Sequence, residues 1–369
     1  MCRHLFGDGQ AIVIDTRKMC LVSEYIRTDS SYPLFIQGDS LEILRSFSDN
    51  SIDCCITSPP YWQKRQYENG GIGLEDSPQE YIDNLLSIVK EVKRVLKPTG
   101  SFWLNIGDSY KNKTRLGIPW RVALQMIDDG WILRNDVIWN KHKGGLSPNT
   151  DRFGSVFEDL FFFVKSEKYF FDADSIRSKP RQSYVKNGSV VSATGVSGIR
   201  YKRQIELSTS LSEDEKACAL SQLAQVLDRV RRGEISDFRM VIRNEQRTTH
   251  SDSVKLSGRA KELRDKGFYF LFYNPKGTMP NDVWDIIPED SQHRKMHFAP
   301  YPEELCVIPI KSTCPKDGVV LDPFSGTGTT MKVAYDLGRK SIGIDLSKEY
   351  INLARKRICQ ESESYSLFQ

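Results

Sequence analysis

The residues best suited to chemistry are Thr57-Ser58-Pro59-Pro60-Tyr61-Trp62. They follow an apolar run, Ile52 to Ile56, that reads as a short buried strand. A motif at the end of a parallel strand sits where open α/β sheets hold their ligands. Two prolines in a row fix φ and remove two N–H donors. The carbonyls of Ser58 and Pro59 are then rigid acceptors outside any ladder. Beside an aromatic face, such a pair can grip a planar heterocycle by its amino group while Tyr61 stacks on the ring. Ser58, Pro59, Pro60 and Tyr61 form the candidate catalytic set, with Trp62 as a second stacking surface. A Pro-rich turn with a packed aromatic would use the same residues.

A second stretch lies near the other end of the chain. Val319-Val320-Leu321 leads into Asp322, Pro323, Phe324, Ser325, Gly326, Thr327, Gly328, Thr329 and Thr330, and a helical pattern follows. Strand, Gly-rich turn and helix N-terminus make a nucleotide or cofactor cradle. It is not a Walker phosphate loop, because no Lys precedes the Thr pair. The next strand, Lys340 to Leu346, carries Asp345 near its end, where an acid can accept hydrogen bonds from ribose hydroxyls. Pro33 to Asp39 reads as another strand ending in an acid, with Ser40 as the cap of a short helix, Leu41 to Arg45.

Taken together, Ser-Pro-Pro-Tyr upstream and Asp-Pro-Phe-Ser-Gly-Thr-Gly downstream resemble the amino-methylating DNA methyltransferases of the β arrangement. The resemblance covers most of Pro33 to about Ile358, apart from a middle segment. It implies S-adenosylmethionine as cofactor and methyl transfer to an exocyclic amine of a base in double-stranded DNA. Ser at position 58 is similar to the members that modify N4 of cytosine; members acting on N6 of adenine more often carry Asp there. The resemblance also turns Asp39 toward the adenine amine of the cofactor. It places His297, Ala299 and Leu346 with the cofactor residues. A flipped-out base is implied, because the amine is unreachable inside a duplex. No covalent intermediate is needed, so Cys54 and Cys55 read as buried strand residues.

The elements around these motifs alternate in type. Ser77 and Pro78 open a helix with an apolar stripe of Tyr81, Leu85, Ile88, Val89, Val92 and Leu96, ending at Lys97-Pro98-Thr99-Gly100. Ser101 to Ile106 is a buried strand; Asn105 and Asp108 lie close to the expected site. Ile118 to Asp129 is a helix stopped by Gly130. Leu133 to Lys141 and Phe157 to Val164 are strands, and Phe161-Phe162-Phe163 reads as core. Gln63 to Asp76 is a Gly-rich loop long enough to cover a substrate. This pattern predicts a Rossmann-like, doubly wound α/β fold with a mostly parallel seven-stranded methyltransferase sheet. The glycine-rich strand follows the catalytic one, so the fold is circularly permuted, with the two motif strands as neighbours.

The 369 residues, 39% hydrophobic and 27% charged, suit a folded protein with a large core. No apolar run is long enough to span a bilayer and the start lacks a signal-peptide core, so the expected location is cytoplasmic with no membrane partner. Eight Cys without paired spacing predict free thiols and no metal site. Between Ile176 and Pro280 stand 20 Lys and Arg against 11 Asp and Glu, which leaves the remainder at about −5 of the net +4. A basic segment fits a polyanion partner, DNA or nearly as well RNA. Ser212 to Arg232 reads as a helix with a basic end, and Phe238 to Arg243 as a strand with cationic faces. Arg231, Arg232, Arg239 and Arg243 are the DNA-binding candidates. The expected organisation is an N-terminal extension (1–31), a catalytic half (32–174), an inserted target-recognition region (175–280) and a cofactor half (281–369). A cognate restriction endonuclease is a possible separate partner; the oligomeric state is open.

Overall fold

Strand sequences here are nearly continuous apolar runs because both faces of the main sheet are covered. The computed structural model describes residues 12–15, 20–64, 70–142, 150–244, 258–288 and 301–366. The chain separates into two compact units, Met1–Ser175 with Asn281–Gln369, and Ile176–Pro280.

The first unit begins with β1 (Ile12–Asp15), α1 (Cys20–Arg27), β2 (Leu34–Gln37), α2 (Ser40–Arg45) and β3 (Ile52–Thr57). It continues through α3 (Pro78–Val95), β4 (Leu96–Ile106), β5 (Tyr110–Lys111), β6 (Thr114–Arg115), α4 (Ile118–Asp128), β7 (Ile132–Asn140) and β8 (Phe157–Val164). The second unit holds β9 (Tyr184–Lys186), β10 (Ser189–Val191), α5 (Gly198–Leu207), α6 (Glu213–Arg231), β11 (Asp237–Ile242), α7 (Gly258–Lys266) and β12 (Phe268–Tyr273). The chain then returns to the first unit with β13 (Val283–Asp285), α8 (Glu304–Thr313), β14 (Val319–Asp322), α9 (Thr329–Asp336), β15 (Lys340–Asp345) and α10 (Lys348–Ser366).

Among the described residues the main sheet has nine strands, in the order β1-β2-β15-β14-β3-β4-β8-β7-β13. Seven of them, β2 to β7 in that order, form the expected sheet; β1 and β13 add one parallel strand at each edge. Ile12–Asp15, within the stretch expected to be a separate extension, therefore belong to the sheet. Strand β8 runs against its neighbours β4 and β7. The permutation brings β14 beside β3, with Val320 opposite Cys54 and Leu321 opposite Cys55.

The period-two alternation of a strand sorts side chains between two cores. Cys55, Leu321, Phe161 and Phe163 face α2, α3 and α4. Cys54, Ile56, Val320 and Phe162 face α8 and α9. The phenylalanine run is thus packing on both faces. Helix α3 begins as the sequence predicts: Ser77 accepts from the Glu80 N–H and Pro78 fills the first turn. It ends at Val95, earlier than Lys97-Pro98 suggests. Leu96 to Gly100 pair into β4 instead, because Leu96 lies opposite Ile52 in the ladder. At α2 the cap is Asp39, not Ser40; Asp39 accepts from the Glu42 N–H at 3.0 Å.

In the second unit, α5 and α6 cover one face of the β11–β12 ribbon through Tyr201, Leu223, Val226, Phe238 and Phe268. Ser212 and Glu215 form a capping box at the start of α6. Arg239 is exposed on β11 and Arg231 on α6. Arg243 is engaged within the unit: its guanidinium donates to Glu215 at 3.1 Å, to the Ser210 carbonyl at 2.8 Å and to the Arg264 carbonyl at 3.2 Å. Arg232 pairs with Asp228 at 2.8 Å and Glu234 at 3.1 Å. Arg243 is a clamp between α6 and α7 rather than a group held out for a phosphate. Arg243→Ala is expected to lower the stability of this unit by about 1–2 kcal/mol, as partly buried acceptors lose their donor. Urea unfolding checks this; an unchanged midpoint with weakened DNA binding would return Arg243 to the DNA surface.

Candidate active site

Two motif strands that lie far apart in sequence are joined by one carboxylate. Asp322, at the end of β14, is 1% exposed. Its Oδ1 accepts from the Thr57 hydroxyl at 2.6 Å and the Phe324 N–H at 3.0 Å. Its Oδ2 accepts from the Tyr301 hydroxyl at 2.9 Å and the Thr330 hydroxyl at 2.7 Å. Burial pushes this carboxyl above the usual range, and the four donors pull it back. Asp322 and Thr330 therefore organise the loop from inside. Thr329 is also turned inward and accepts from Arg357 at 3.1 Å. Of the expected cofactor residues these three are structural, because their polar atoms meet partners from this chain.

The turn between them is shaped as a cradle. Gly326 donates its N–H to Asp345 Oδ2 at 2.9 Å, and Ser347 donates to Oδ1 at 2.7 Å. Gly328 has φ of 76°, and a Cβ there would come within 2.8 Å of Ala354. A side chain at 328 would push α10 away from the turn. The Pro323 carbonyl accepts from Ser40, which ties the turn to α2. Phe324 packs against the core. Ser325 Oγ and Thr327 Oγ1 are buried and meet no hydrogen-bond partner among the described residues. Two orphaned hydroxyls in a glycine turn, beside a carboxylate, fit a polar ligand that supplies both donors and acceptors. S-adenosylmethionine, with a ribose, an amino-acid end and an adenine, is such a ligand. Asp345 is part-buried, and burial pushes it up to about 6 against the pull of the two N–H donors. Leu346 sits beneath the glycine loop: a Cβ at Gly71 would lie 3.0 Å from it, and one at Gly73 would lie 3.3 Å from Pro60. The described part of that loop thus touches both motifs. His297 and Ala299 lie outside the described residues.

At the end of β3 the motif backbone is fixed from below. The Pro60 carbonyl accepts from Tyr81 at 2.9 Å, and the Tyr61 carbonyl accepts from the Lys64 N–H at 3.2 Å. Tyr61 lies over Gly107, where a Cβ would fall 2.5 Å from its ring. Its hydroxyl donates to Glu158 at 2.8 Å and approaches Asn105 Oδ1 and Ser58 Oγ, each at 3.3 Å. Lys141, the residue after β7, answers Glu158. Burial first, and Glu158 second, hold the Tyr61 phenol well above its ordinary pKa, so it stays protonated and donates.

The structure therefore brings together Ser58, Pro59, Tyr61, Asp322 and Asp345 at one end of neighbouring strands. Trp62 departs from expectation. It is 2% exposed, packs in the core and donates its indole N–H to the Glu75 carbonyl at 2.9 Å, so it is not a stacking surface for a base. Asp108 also turns elsewhere: it accepts from the N–H groups of Ser109, Gly117 and Ile118 and pairs with Arg115 at 2.7 Å. Asn105 does reach the site through Tyr61. Glu158, Lys141 and Tyr301 were missed. The only sequence hint was a Glu-Asp pair opening an otherwise apolar strand, since their partners come from distant segments.

Asp322→Asn is expected to destabilise the first unit by about 1.5–3 kcal/mol, because an amide presents a donor to hydroxyls that need an acceptor. Thermal unfolding measures it; a variant as stable as the parent would show that the carboxylate does not organise the loop.

Residues 52–356 match the DNA methylase model of the N6/N4 methyltransferase family. The type II methyltransferase M.SfiI of Streptomyces fimbriatus is 32% identical over 372 residues, covering 85% of this chain and 88% of that protein. M.SmaI of Serratia marcescens, also a type II methyltransferase, is 29% identical over 353 residues, covering 88% and 89%. Among solved structures, the cytosine-N4-specific PvuII DNA methyltransferase shares the fold with a TM-score of 0.53 at 21% identity, covering 87% of this chain and 84% of that one. The match spans both motifs and the strands that carry them, and the chain belongs to the N6/N4 DNA methylases, with S-adenosylmethionine as its cofactor and DNA as its substrate.

Proposed function

We propose that this enzyme methylates N4 of cytosine in duplex DNA, as the modification enzyme of a restriction-modification system. The observation that carries the base assignment is Ser58. A neutral hydroxyl, not a carboxylate, directly follows β3, and it lies 3.3 Å from the Tyr61 hydroxyl. The type II designation of the relatives supports the role in modification.

The cytosine amine is a poor nucleophile, since its lone pair is delocalised into the ring. Acceptors at Ser58 and Pro59 take its two N–H bonds and favour a pyramidal nitrogen. Bound S-adenosylmethionine supplies an electron-poor methyl group on a sulfonium. The protein's work is then positioning: Tyr81 and Lys64 lock the motif backbone, and Tyr61 presents a fixed ring edge and face to the extruded base. Asp345 would accept from the ribose of the cofactor, and Ser325 and Thr327 would offer further polar contacts. No thiol is needed. Cys54 and Cys55 are fully buried in β3, and burial raises both thiols, Cys54 to about 11.

Methylation of genomic DNA followed by mass analysis of nucleosides should yield N4-methylcytosine. N6-methyladenine as the sole product would overturn the inference from Ser58; 5-methylcytosine would overturn the mechanism. Tyr61→Ala should abolish most turnover and leave cofactor affinity intact, because a stacked base contributes about 1–3 kcal/mol. A ribose hydroxyl is held more strongly by a charged acceptor than by a neutral one, and burial raises the Asp345 carboxyl to about 6. Cofactor affinity should therefore be level above about pH 7 and fall as the pH drops through 6. Asp345→Asn should weaken binding at neutral pH and flatten that profile; calorimetry at several pH values reads both.

A further inference from the structure

A basic hairpin grows out of the catalytic face of the first unit. Strand β4 runs parallel to β3 with Leu104 opposite Thr57, so both end at the same edge of the sheet. Three residues later β5 and β6 form a two-residue hairpin, with Asn112 and Lys113 both at positive φ, 50° and 66°. This is a tight, rigid turn whose twist matches its strands. Lys111, Lys113 and Arg115 occupy three of its six positions, and all are exposed.

The hairpin is fastened to the catalytic motif. Ser109 donates its hydroxyl to the Trp62 carbonyl at 2.8 Å, and the Lys111 ammonium stands 5.4 Å from the Trp62 ring centre. Asp108 knots the base of the hairpin to the start of α4 through Gly117 and Ile118. Arg152 stacks on Tyr110 with its guanidinium 4.1 Å from the ring centre, which adds a cation at the same place. Asp151 answers Lys113 at 2.6 Å, and Asp108 answers Arg115. Lys111 and Arg152 lie over aromatic rings, which orient a cation without cancelling its charge.

We propose that the Tyr110–Arg115 hairpin, with Arg152, is a phosphate clamp that holds the DNA backbone beside the extruded base. The proposal rests on the DNA reading of the site. A base turned out of the helix drags its own phosphates toward the edge of β3, and Lys111 over Trp62 and Arg152 over Tyr110 meet them there. This grip belongs to the catalytic unit and is separate from the basic inserted segment.

The test is the variant Lys111→Ala/Lys113→Ala/Arg152→Ala, assayed by tritiated methyl transfer to genomic DNA at several salt concentrations. The KM for DNA should rise tenfold or more near 100 mM salt, with S-adenosylmethionine affinity unchanged. The salt dependence of kcat/KM should become shallower by about 0.9 for each phosphate that is no longer neutralised. The variant Lys111→Arg/Lys113→Arg/Arg152→Lys, which keeps the charge, should behave as the parent. An unchanged KM and slope in the alanine variant would overturn the clamp, and so would an equal effect in the charge-keeping variant. A parent enzyme that transfers no methyl to DNA would overturn the underlying reading and the clamp with it.

Discussion

Everything at this site depends on a carboxylate that is satisfied inside the sheet. Removing Asp322 from water carries a large desolvation cost, and only four donors in good geometry offset it. Those donors come from β3, from the residue two places on, from the segment before α8 and from α9. Meeting them all fixes four pieces of chain in one arrangement. The strands that carry the amine-binding and cofactor-binding motifs are thereby held in register, although Thr57 and Asp322 are 265 residues apart.

Tyr61 shows the same logic nearer the chemistry. A tyrosine on a loop end has two freely rotating side-chain bonds. Here Gly107 lets the ring lie flat against the end of β4, and the Glu158–Lys141 pair takes the hydroxyl. Rotamer entropy is spent on folding and not on substrate binding. Glu158 lies on β8 and Lys141 directly follows β7, so the antiparallel corner of the sheet reaches the site through the Tyr61 hydroxyl.

The fold was legible because its signals are local and periodic. The apolar runs of β3, β8 and β14 and the cap of α3 follow from spacing and from Ser before Pro. The order of the two motifs was enough to infer a permuted sheet. Edge strand β13 was not legible as such, since a short strand at an edge carries little pattern. Side-chain roles were less legible still. Tyr61 and Trp62 are adjacent aromatics with the same apparent use, yet the turn that follows Pro60 leaves one at the site and buries the other, whose indole N–H is taken by the Glu75 carbonyl. Arg243 reads as a DNA-binding residue by charge, but three acceptors from its own unit surround it.

Strand-end acids make the point in its sharpest form. Asp39 and Asp108 follow β-strands, Asp322 and Asp345 end them, and sequence treats all four alike. What separates them is how many donors the neighbouring chain supplies. Asp108 meets three backbone N–H groups and Arg115, which leaves it nothing to offer a ligand. Asp322 meets four donors and is closed. Asp39 meets one N–H, at the start of α2, and stays part-exposed. Asp345 meets two N–H groups, one on each oxygen, and stays part-exposed beside two orphaned hydroxyls. A carboxylate oxygen has room for more than one donor, so Asp345 and Asp39 retain acceptor capacity that the other two have exhausted. Ligand-binding acids in such a sheet are therefore the ones the fold leaves unfinished.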